Sequence, residues 1–221
     1  MPDDLNIEWL GRLPYAEAHA RMLAQVEQRA ADRVPDTLLL VEHDPVYTVG
    51  RHRDASANVL MPGDVPVVDV KRGGDVTFHG PGQLTAYPIV RLPAHRRDVL
   101  AWMHGLEDVC MGVLGRWNIR GERDPRNTGV WVDGCKIAAI GVALRRWVSF
   151  HGFAINNTVD LGWFHRVNPC GMDSRLVTRM SDHVDPPSLE ILRDATAGEF
   201  RQWWAGWSAP PPGAATGEET G

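Results

Sequence analysis

The dipeptide Asp133-Gly134 between two apolar runs most constrains the fold of this chain. Residues 128–132 and 136–144 flank it, and Asp-Gly between two strands is a preferred sequence for a two-residue hairpin turn. A third apolar run, residues 147–157, follows directly. Strands joined by short connections pair antiparallel, so this region predicts part of an antiparallel sheet.

Helix and strand patterns alternate over the rest of the chain. Three segments have the three- and four-residue apolar spacing of amphipathic helices: 14–33, 98–117 and 188–207. Asp98 and Ser188 are suitable N-caps. Short apolar runs predict strands in four more segments: 37–41, 42–50, 65–70 and 84–92. The predicted fold class is α+β, a mixed, largely antiparallel sheet flanked by helices.

Length and charge limit the kind of protein this is. The 221 residues carry a formal net charge of -5, which disfavours a nucleic-acid binder. No apolar run reaches about 18 residues, and the acidic N-terminus lacks the apolar core of a signal peptide, so we expect neither a membrane span nor export. We expect one domain over 1–207 and a disordered tail over 208–221.

The cysteines predict neither a disulfide framework nor a zinc site. Cys110, Cys135 and Cys170 are odd in number and widely spaced, and the histidines have no metal-ligand spacing. We therefore expect a cytoplasmic protein with no metal. Cys110 lies on an apolar helical stripe and is predicted to be part of the core.

Two segments in the middle of the chain each allow two interpretations. Residues 71–83 contain four glycines with Arg72, Thr77 and His79, which is either a tight turn or a loop whose backbone approaches a ligand. It matches neither a Walker loop nor a GxGxxG loop. Lys136 begins an apolar strand and is either an exposed hairpin residue or a partly desolvated amine beside a pocket.

Two further segments are less distinctive taken singly. Residues 151–157 form an apolar strand that ends in two amides, which fits a core strand followed by a turn. Residues 168–171 read Asn-Pro-Cys-Gly, where Cys170 is either a turn cysteine or a nucleophile. The amides of Cys170 and Gly171 are candidates to bind an oxyanion.

In this order, the four segments closely resemble the lipoyl(octanoyl) transferases of lipoate biosynthesis. Their patterns RGGxxTxHxPGQ, GxKIxxIG, HGxALN and NPCG correspond to residues 72–83, 134–141, 151–156 (with Ile155 in place of leucine) and 168–171. The resemblance implies the fold of the biotin/lipoate protein ligase catalytic domain, and it makes 1–207 a single acyltransferase domain.

The resemblance also implies residue roles. Cys170 is the nucleophile that becomes an acyl thioester, and Lys136 lowers its pKa. The walls of the acyl site are Arg72, Gly73, Gly74, Asp75, Val76, Thr77, Phe78, His79, Ala139, Ile140, Gly141, Gly152, Phe153 and Ala154. Among aliphatic residues we expect Val76, Ile137, Ile140 and Ile155 to line an apolar slot. No cofactor is implied, because conversion of a thioester to an amide needs no ATP.

The implied donor is octanoyl-acyl carrier protein. The implied acceptors are apo lipoyl domains of 2-oxoacid dehydrogenase complexes and the glycine cleavage H protein. Arg91, Arg96-Arg97 and Arg145-Arg146 are either a rim for the acidic carrier or ordinary surface. Three alternatives remain open: an ATP-dependent lipoate or biotin ligase, a non-catalytic acyl or lipoyl-domain binding module, and a thioesterase.

Overall fold

The computed structural model describes residues 5–52, 55–168 and 175–211, which form nine strands and three α-helices. The strands are β1 (Asn6–Leu13), β2 (Thr37–His43), β3 (Val46–Val49), β4 (Val67–Asp69), β5 (Val76–His79), β6 (Gln83–Ile89), β7 (Gly129–Val132), β8 (Cys135–Arg145) and β9 (Val148–Asn156). The helices are α1 (Tyr15–Ala30), α2 (Val99–Gly115) and α3 (Leu189–Ser208).

The main sheet has six strands in the order β1-β2-β6-β9-β8-β7. Only β1 and β2 pair parallel, and the remaining neighbours pair antiparallel. The predicted mixed, largely antiparallel sheet is therefore confirmed. A smaller sheet has the order β4-β3-β5, in which β3 pairs parallel with β4 and antiparallel with β5.

Both hairpins of the main sheet turn through left-handed backbone. Asp133 and Gly134 have φ of 50° and 76°, as a two-residue turn between right-twisted strands requires. Arg146 and Trp147 join β8 to β9 with φ of 49° and 63°, although neither is glycine. The predicted run of β7, β8 and β9 is thus confirmed.

Side chains alternate between the two faces of the main sheet. Along β2, Leu38 and Leu40 join the core formed with α2 and α3, whereas Leu39 and Val41 pack with the α1 residues Ala18, Met22 and Val26. This is the two-residue period of a strand buried on both faces. The main sheet is consequently the middle layer of the molecule.

The helices begin where the sequence predicts. The Asp98 carboxylate accepts hydrogen bonds from the amides of Leu100 and Ala101 at 2.8 and 3.0 Å, and Ser188 caps α3. Cys110 is buried, as predicted. Four indoles pack between α2 and α3: Trp102, Trp203, Trp204 and Trp207.

The ends of the chain differ in part from the prediction. Strand β1 was not predicted. It is irregular in the structure: its pairing with β2 shifts register between Trp9 and Arg12, and Gly11 has φ of 76°. Helix α3 includes Ser208, the first residue of the predicted tail, and residues 212–221 lie outside the described residues. No helix in the described ranges is long and apolar enough to cross a membrane.

Candidate active site

A cavity of about 660 Å³ lies against β8 and β9, beside β5 and the glycine-rich loop before it. Its lining includes every predicted acyl-site residue except Phe78: Arg72, Gly73, Gly74, Asp75, Val76, Thr77, His79, Ala139, Ile140, Gly141, Gly152, Phe153 and Ala154. Strand alternation sends Phe78 away from Thr77 and His79, and its buried ring stacks on Trp163.

The glycine-rich loop packs backbone against backbone. The amide of Gly73 donates to the carbonyl of Val142 on β8 at 2.9 Å. A Cβ on Gly50 would lie 2.2 Å from the carbonyl oxygen of Gly74. Such close approach requires glycine at position 50. The segment lines the cavity, and its interpretation as a ligand-binding loop stays a prediction.

Two buried charged side chains brace this loop. The Arg72 guanidinium donates to the carbonyl and hydroxyl oxygens of Thr48, at 2.9 and 3.0 Å. The Asp75 carboxylate accepts from the amide of Val76 at 2.6 Å and from the side chain of Asn58 at 2.7 Å. These bonds to charged groups hold the cavity wall in one geometry.

The floor of the cavity consists of very small residues. Ala139 lies opposite Ala154, and Gly141 lies opposite Gly152, on the paired strands β8 and β9. Of the four aliphatic residues predicted to line the slot, Val76 and Ile140 do so. The prediction was wrong for Ile137 and Ile155, which lie in the core formed with α2 and α3. The register of β8 shifts at Ile137, and Ile155 alternates with the cavity residues Ala154 and Asn156.

Lys136 is a buried amine at the cavity wall, not an exposed hairpin residue. The residue is 9% exposed. Its Nζ donates to Oδ1 of Asn127 at 2.7 Å and to the carbonyl of Thr128 at 2.9 Å, and it lies 5.2 Å from the centre of the Trp131 ring. An amine so enclosed has lost most of its hydration and depends on these groups.

The chain that follows residues 169–174 lies directly against Lys136. The Lys136 amide donates to the carbonyl of Leu176 at 2.8 Å, and the amide of Thr178 donates to the Lys136 carbonyl at 3.0 Å. Cys170 and Gly171, with the amides predicted to bind an oxyanion, lie outside the described residues.

A chain of buried hydrogen bonds that sequence reasoning missed runs beside the cavity. His79 Nδ1 bonds Oε1 of Gln83 at 2.7 Å, and Nε2 of Gln83 donates to Oδ1 of Asn156 at 2.9 Å. The amide group of Asn156 then donates to the carbonyl of Thr178 at 2.9 Å. The sequence contains a signal for this chain of hydrogen bonds, because Gln83 ends the glycine-rich motif and Asn156 is the first of two consecutive asparagines at the end of β9.

One end of the cavity is lined by a cluster of aromatic and imidazole rings. The sequence analysis did not predict this cluster. Tyr15, His79, Tyr87 and His151 line the cavity, and His43 lies behind them, bonded through Nε2 to the Tyr87 hydroxyl at 2.7 Å. Ring centroids of neighbours in this cluster are 5.2 to 6.4 Å apart. The cavity is therefore less apolar than the predicted slot.

Burial keeps these rings uncharged at neutral pH. Burial lowers the pKa of His43 to about 4. Burial and, to a smaller extent, charged neighbours such as Arg72 lower the pKa of His79 and His151 to about 3. Burial also raises the pKa of Tyr15 to about 12. Within the described ranges, no group of three acidic, His or Cys side chains is arranged to hold a metal ion.

Comparison with known proteins identifies similar sequences over most of the chain. Residues 14–201 match the family described as lipoyl protein ligase A/B catalytic domain. A protein of Geobacter metallireducens named Octanoyltransferase is 44% identical, over 89% of this chain and 92% of its own length. Another of that name from Rubrobacter xylanophilus is 44% identical, over 87% of this chain and 90% of its own length.

Solved structures share the fold at much lower identity. A lipoate-protein ligase A bound with ATP superposes with a TM-score of 0.72 at 16% identity, over 92% of this chain and 85% of that one. The putative lipoate protein ligase Ta0514 of T. acidophilum, with bound lipoic acid, has a TM-score of 0.70 at 15% identity, over 90% and 86% of the two chains. Identities this low establish likeness of fold alone.

Proposed function

The chain belongs to the lipoyl protein ligase A/B catalytic domain family and, within it, to the octanoyltransferases; from that premise we propose its donor, acceptor and catalytic residues. The octanoyl group comes from octanoyl-acyl carrier protein. It passes through a thioester on Cys170 to a lysine amine on apo lipoyl domains, those of 2-oxoacid dehydrogenase complexes and of the glycine cleavage H protein. The reaction takes place in the cytoplasm and uses no ATP.

The observation that carries this proposal is the buried amine of Lys136. It lies at the wall of a cavity large enough for an acyl chain, held by Asn127 and Thr128. Its strand pairs with Leu176–Thr178, which begins six residues after Cys170 in the sequence. A cationic amine close to a thiol favours the thiolate, which is the reactive form.

In the first step, the Cys170 thiolate attacks the carbonyl carbon of the donor thioester. A new carbon–sulfur bond forms, and the amides of Cys170 and Gly171 stabilise the oxyanion. The bond to the carrier's pantetheine sulfur then breaks, and the departing thiolate takes a proton from the Lys136 ammonium. The products are the acyl-enzyme, the carrier thiol and a neutral Lys136.

In the second step, the neutral lysine amine of the lipoyl domain attacks the acyl-enzyme. The carbon–nitrogen bond forms, the bond to Cys170 breaks, and Lys136 accepts the proton that the attacking amine loses. The thiolate and ammonium are thereby restored. Thioester and amine become thiol and amide with no external energy source.

The acyl chain lies on the floor of small residues. Ala139, Gly141, Gly152 and Ala154 leave room above β8 and β9, and Val76 and Ile140 add apolar contacts. At about 0.8 kcal/mol for each buried methylene, the chain contributes roughly 4–6 kcal/mol of binding free energy. This energy is enough to fix the reacting carbonyl.

Part of the arginine-rich surface is suited to the acidic carrier. Arg145 is paired with Glu27, and Arg91 with Asp32. Arg96 and Arg97 instead lie over the rings of Trp207 and Trp147, 5.5 and 5.4 Å from their centres. We assign the rim to Arg96 and Arg97, because forming a contact there requires no ion pair to be broken among the described residues.

Intact-mass measurement tests this function. The protein is incubated with octanoyl-acyl carrier protein and no ATP, and we expect a gain of one octanoyl group that is absent in Cys170→Ala. Adding apo lipoyl domain should discharge the enzyme and move the mass to the domain. Cys110→Ala and Cys135→Ala are the matched controls and should still be acylated.

The other outcomes identify the alternatives. Acylation of the lipoyl domain only when octanoate and ATP are supplied would make the protein a ligase. Discharge by water at the same rate with and without the domain would make it a thioesterase. Binding with no covalent adduct in any condition would make it a binding module and end the proposal.

A further inference from the structure

Two buried side chains at the ring-lined end of the cavity have polar atoms with no hydrogen-bond partner among the described residues. They are Oγ1 of Thr85 and Nε2 of His151. Both side chains are 2% exposed and both line the cavity. Buried polar atoms are almost always satisfied by protein or by ordered water, so this end of the cavity is suited to holding water rather than hydrocarbon.

The backbone of β9 is distorted at His151, which lines the cavity. His151 has φ of 55°, and Gly152, next to it, has φ of 157°. Its cross-strand partner Val142 also lines the cavity, and the His151 ring packs 5.7 Å from His19 and 6.3 Å from Tyr87. A left-handed histidine is costly, and such strain is found where it serves a function.

Lengths along the sheet relate these atoms to the acyl chain. From Lys136 to Ala139 is three residues, roughly 10 Å of strand. Ala139, Ala154 and Thr85 lie side by side on β8, β9 and β6. An extended octanoyl group is about 9 Å from carbonyl carbon to methyl, at single-bond lengths near 1.5 Å. An octanoyl group that starts beside Lys136 and runs along β8 therefore ends level with Ala139, Ala154 and Thr85. His151 lies three residues farther along β9, where a longer chain would extend.

We propose that Thr85 and His151 set the acyl-chain length by ending the slot in a polar wall. This inference rests on the proposed function and adds its specificity. A chain two methylenes longer must displace water from Oγ1 of Thr85 and Nε2 of His151 and offers them no hydrogen bond in return. The cost of leaving such groups unsatisfied outweighs what the added methylenes contribute.

Thr85→Val tests the wall, since it replaces a hydroxyl by a methyl of the same shape. We measure kcat/KM with octanoyl-, decanoyl- and dodecanoyl-acyl carrier protein. The ratio of decanoyl to octanoyl turnover should rise about tenfold in Thr85→Val and stay near the parent value in Thr85→Ser. Thr196→Val is the control, because that buried hydroxyl bonds the carbonyl of Leu192 within α3, away from the cavity.

An unchanged ratio in Thr85→Val overturns the proposal, and so does an equal rise in Thr85→Ser. Binding of octanoic and decanoic acids to parent and variant, measured by calorimetry, provides the same comparison without any chemistry. If the parent transfers no octanoyl group, the proposed function fails. The ratio of decanoic-acid to octanoic-acid affinity still decides whether Thr85 limits chain length. Failure of the chain-length proposal can therefore be distinguished from failure of the proposed function.

Discussion

Gly141 and Gly152 lie directly opposite each other on β8 and β9, yet they have very different room for a side chain. A Cβ on Gly152 would lie 2.3 Å from the carbonyl oxygen of Ala86 and 2.4 Å from Cδ of Pro88. A Cβ on Gly141 would lie 3.1 Å from Cδ of Arg72. The first site would clash with the backbone of a central strand at 2.3 Å, whereas the second is only tight, at 3.1 Å from a side chain and 3.2 Å from the carbonyl oxygen of Gly73.

Gly152→Ala should therefore destabilise the protein by about 3 kcal/mol or more, and Gly141→Ala by about 1 kcal/mol. The free energy of unfolding in urea measures both. Gly115→Ala is the control, because a Cβ there would have no neighbour within 4 Å. Equal losses at Gly141 and Gly152 would contradict the backbone clash.

Replacing Lys136 by arginine separates the two half-reactions. A guanidinium keeps the positive charge but cannot serve as a base at neutral pH. We expect Lys136→Arg to form the acyl-enzyme within about tenfold of the parent rate, because a thiolate is a good leaving group and can take its proton from water. We expect it to form amide about 10²–10⁴-fold more slowly. Single-turnover kinetics by intact mass measure both. Lys71→Arg, at the only other lysine in the sequence, should match the parent; equal amide rates in Lys136→Arg would refute the base.

Asn156 joins the buried chain of hydrogen bonds from His79 to Thr178. Asn156→Leu leaves Nε2 of Gln83 and the carbonyl of Thr178 each without this partner, at a cost of about 1–3 kcal/mol for a buried group. We expect a lower free energy of unfolding and slower turnover, since Thr178 is bonded to Lys136. Gln28→Leu, an exposed amide on α1, is the control and should change neither.

The buried histidines make stability depend on pH in one direction. The pKa is lowered to about 4 in His43 and to about 3 in His79 and His151, mainly by burial, against about 6.5 in the unfolded chain. Below pH 6.5 the unfolded state binds more protons, so stability is full above that pH and falls as pH falls towards the folded values. Each ring contributes a loss of about 2 kcal/mol at pH 5.

The glutamine side chain in His43→Gln cannot bind the proton that a histidine takes up as the pH falls. Unfolding in urea at pH 7.5 and pH 5 should therefore show a smaller loss of stability in this variant than in the parent. The His43 ring also contributes to the lowered pKa of His79, so the difference between the two proteins reports the His43 ring together with its effect on His79. An identical pH dependence would mean that His43 is not the buried neutral group described.

Thiol labelling should discriminate among the cysteines. Cys110 is buried in α2, and burial raises its pKa well above the ordinary value. A methylthiolating reagent should modify Cys170 fastest and leave Cys110 unmodified until the protein unfolds. Peptide mass spectrometry assigns each site. Early labelling of Cys110 in the native protein would contradict its position in the core.

The sequence correctly predicted those parts of the fold that depend on interactions between residues close together in the chain. The Asp133-Gly134 turn, the Asp98 cap and the period of α1 each depend on neighbours within a few residues. Strand β1 was missed because its pattern is interrupted at Gly11 and its pairing with β2 depends on α1 as a crossover. Strand β5 was missed because glycines before and after it concealed a four-residue run.

The candidate site was predictable where a motif carried it. Lys136 and the alanine and glycine floor follow from short sequence patterns. The ring cluster does not, because Tyr15, His43, Tyr87 and His151 come from α1, β2, β6 and β9, and only the completed sheet brings them together. The errors at Ile137 and Ile155 arose because strands buried on both faces do not reveal which alternate residues face the cavity.

The indoles of Trp102, Trp203, Trp204 and Trp207 give the molecule an intrinsic optical reporter. Their ring centroids are 5.4 to 6.5 Å apart, close enough for electronic coupling and a distinct near-ultraviolet circular dichroism. None of the four lines the cavity. The signal therefore follows the docking of α3 on α2, so detachment of the last helix can be timed without attaching a dye.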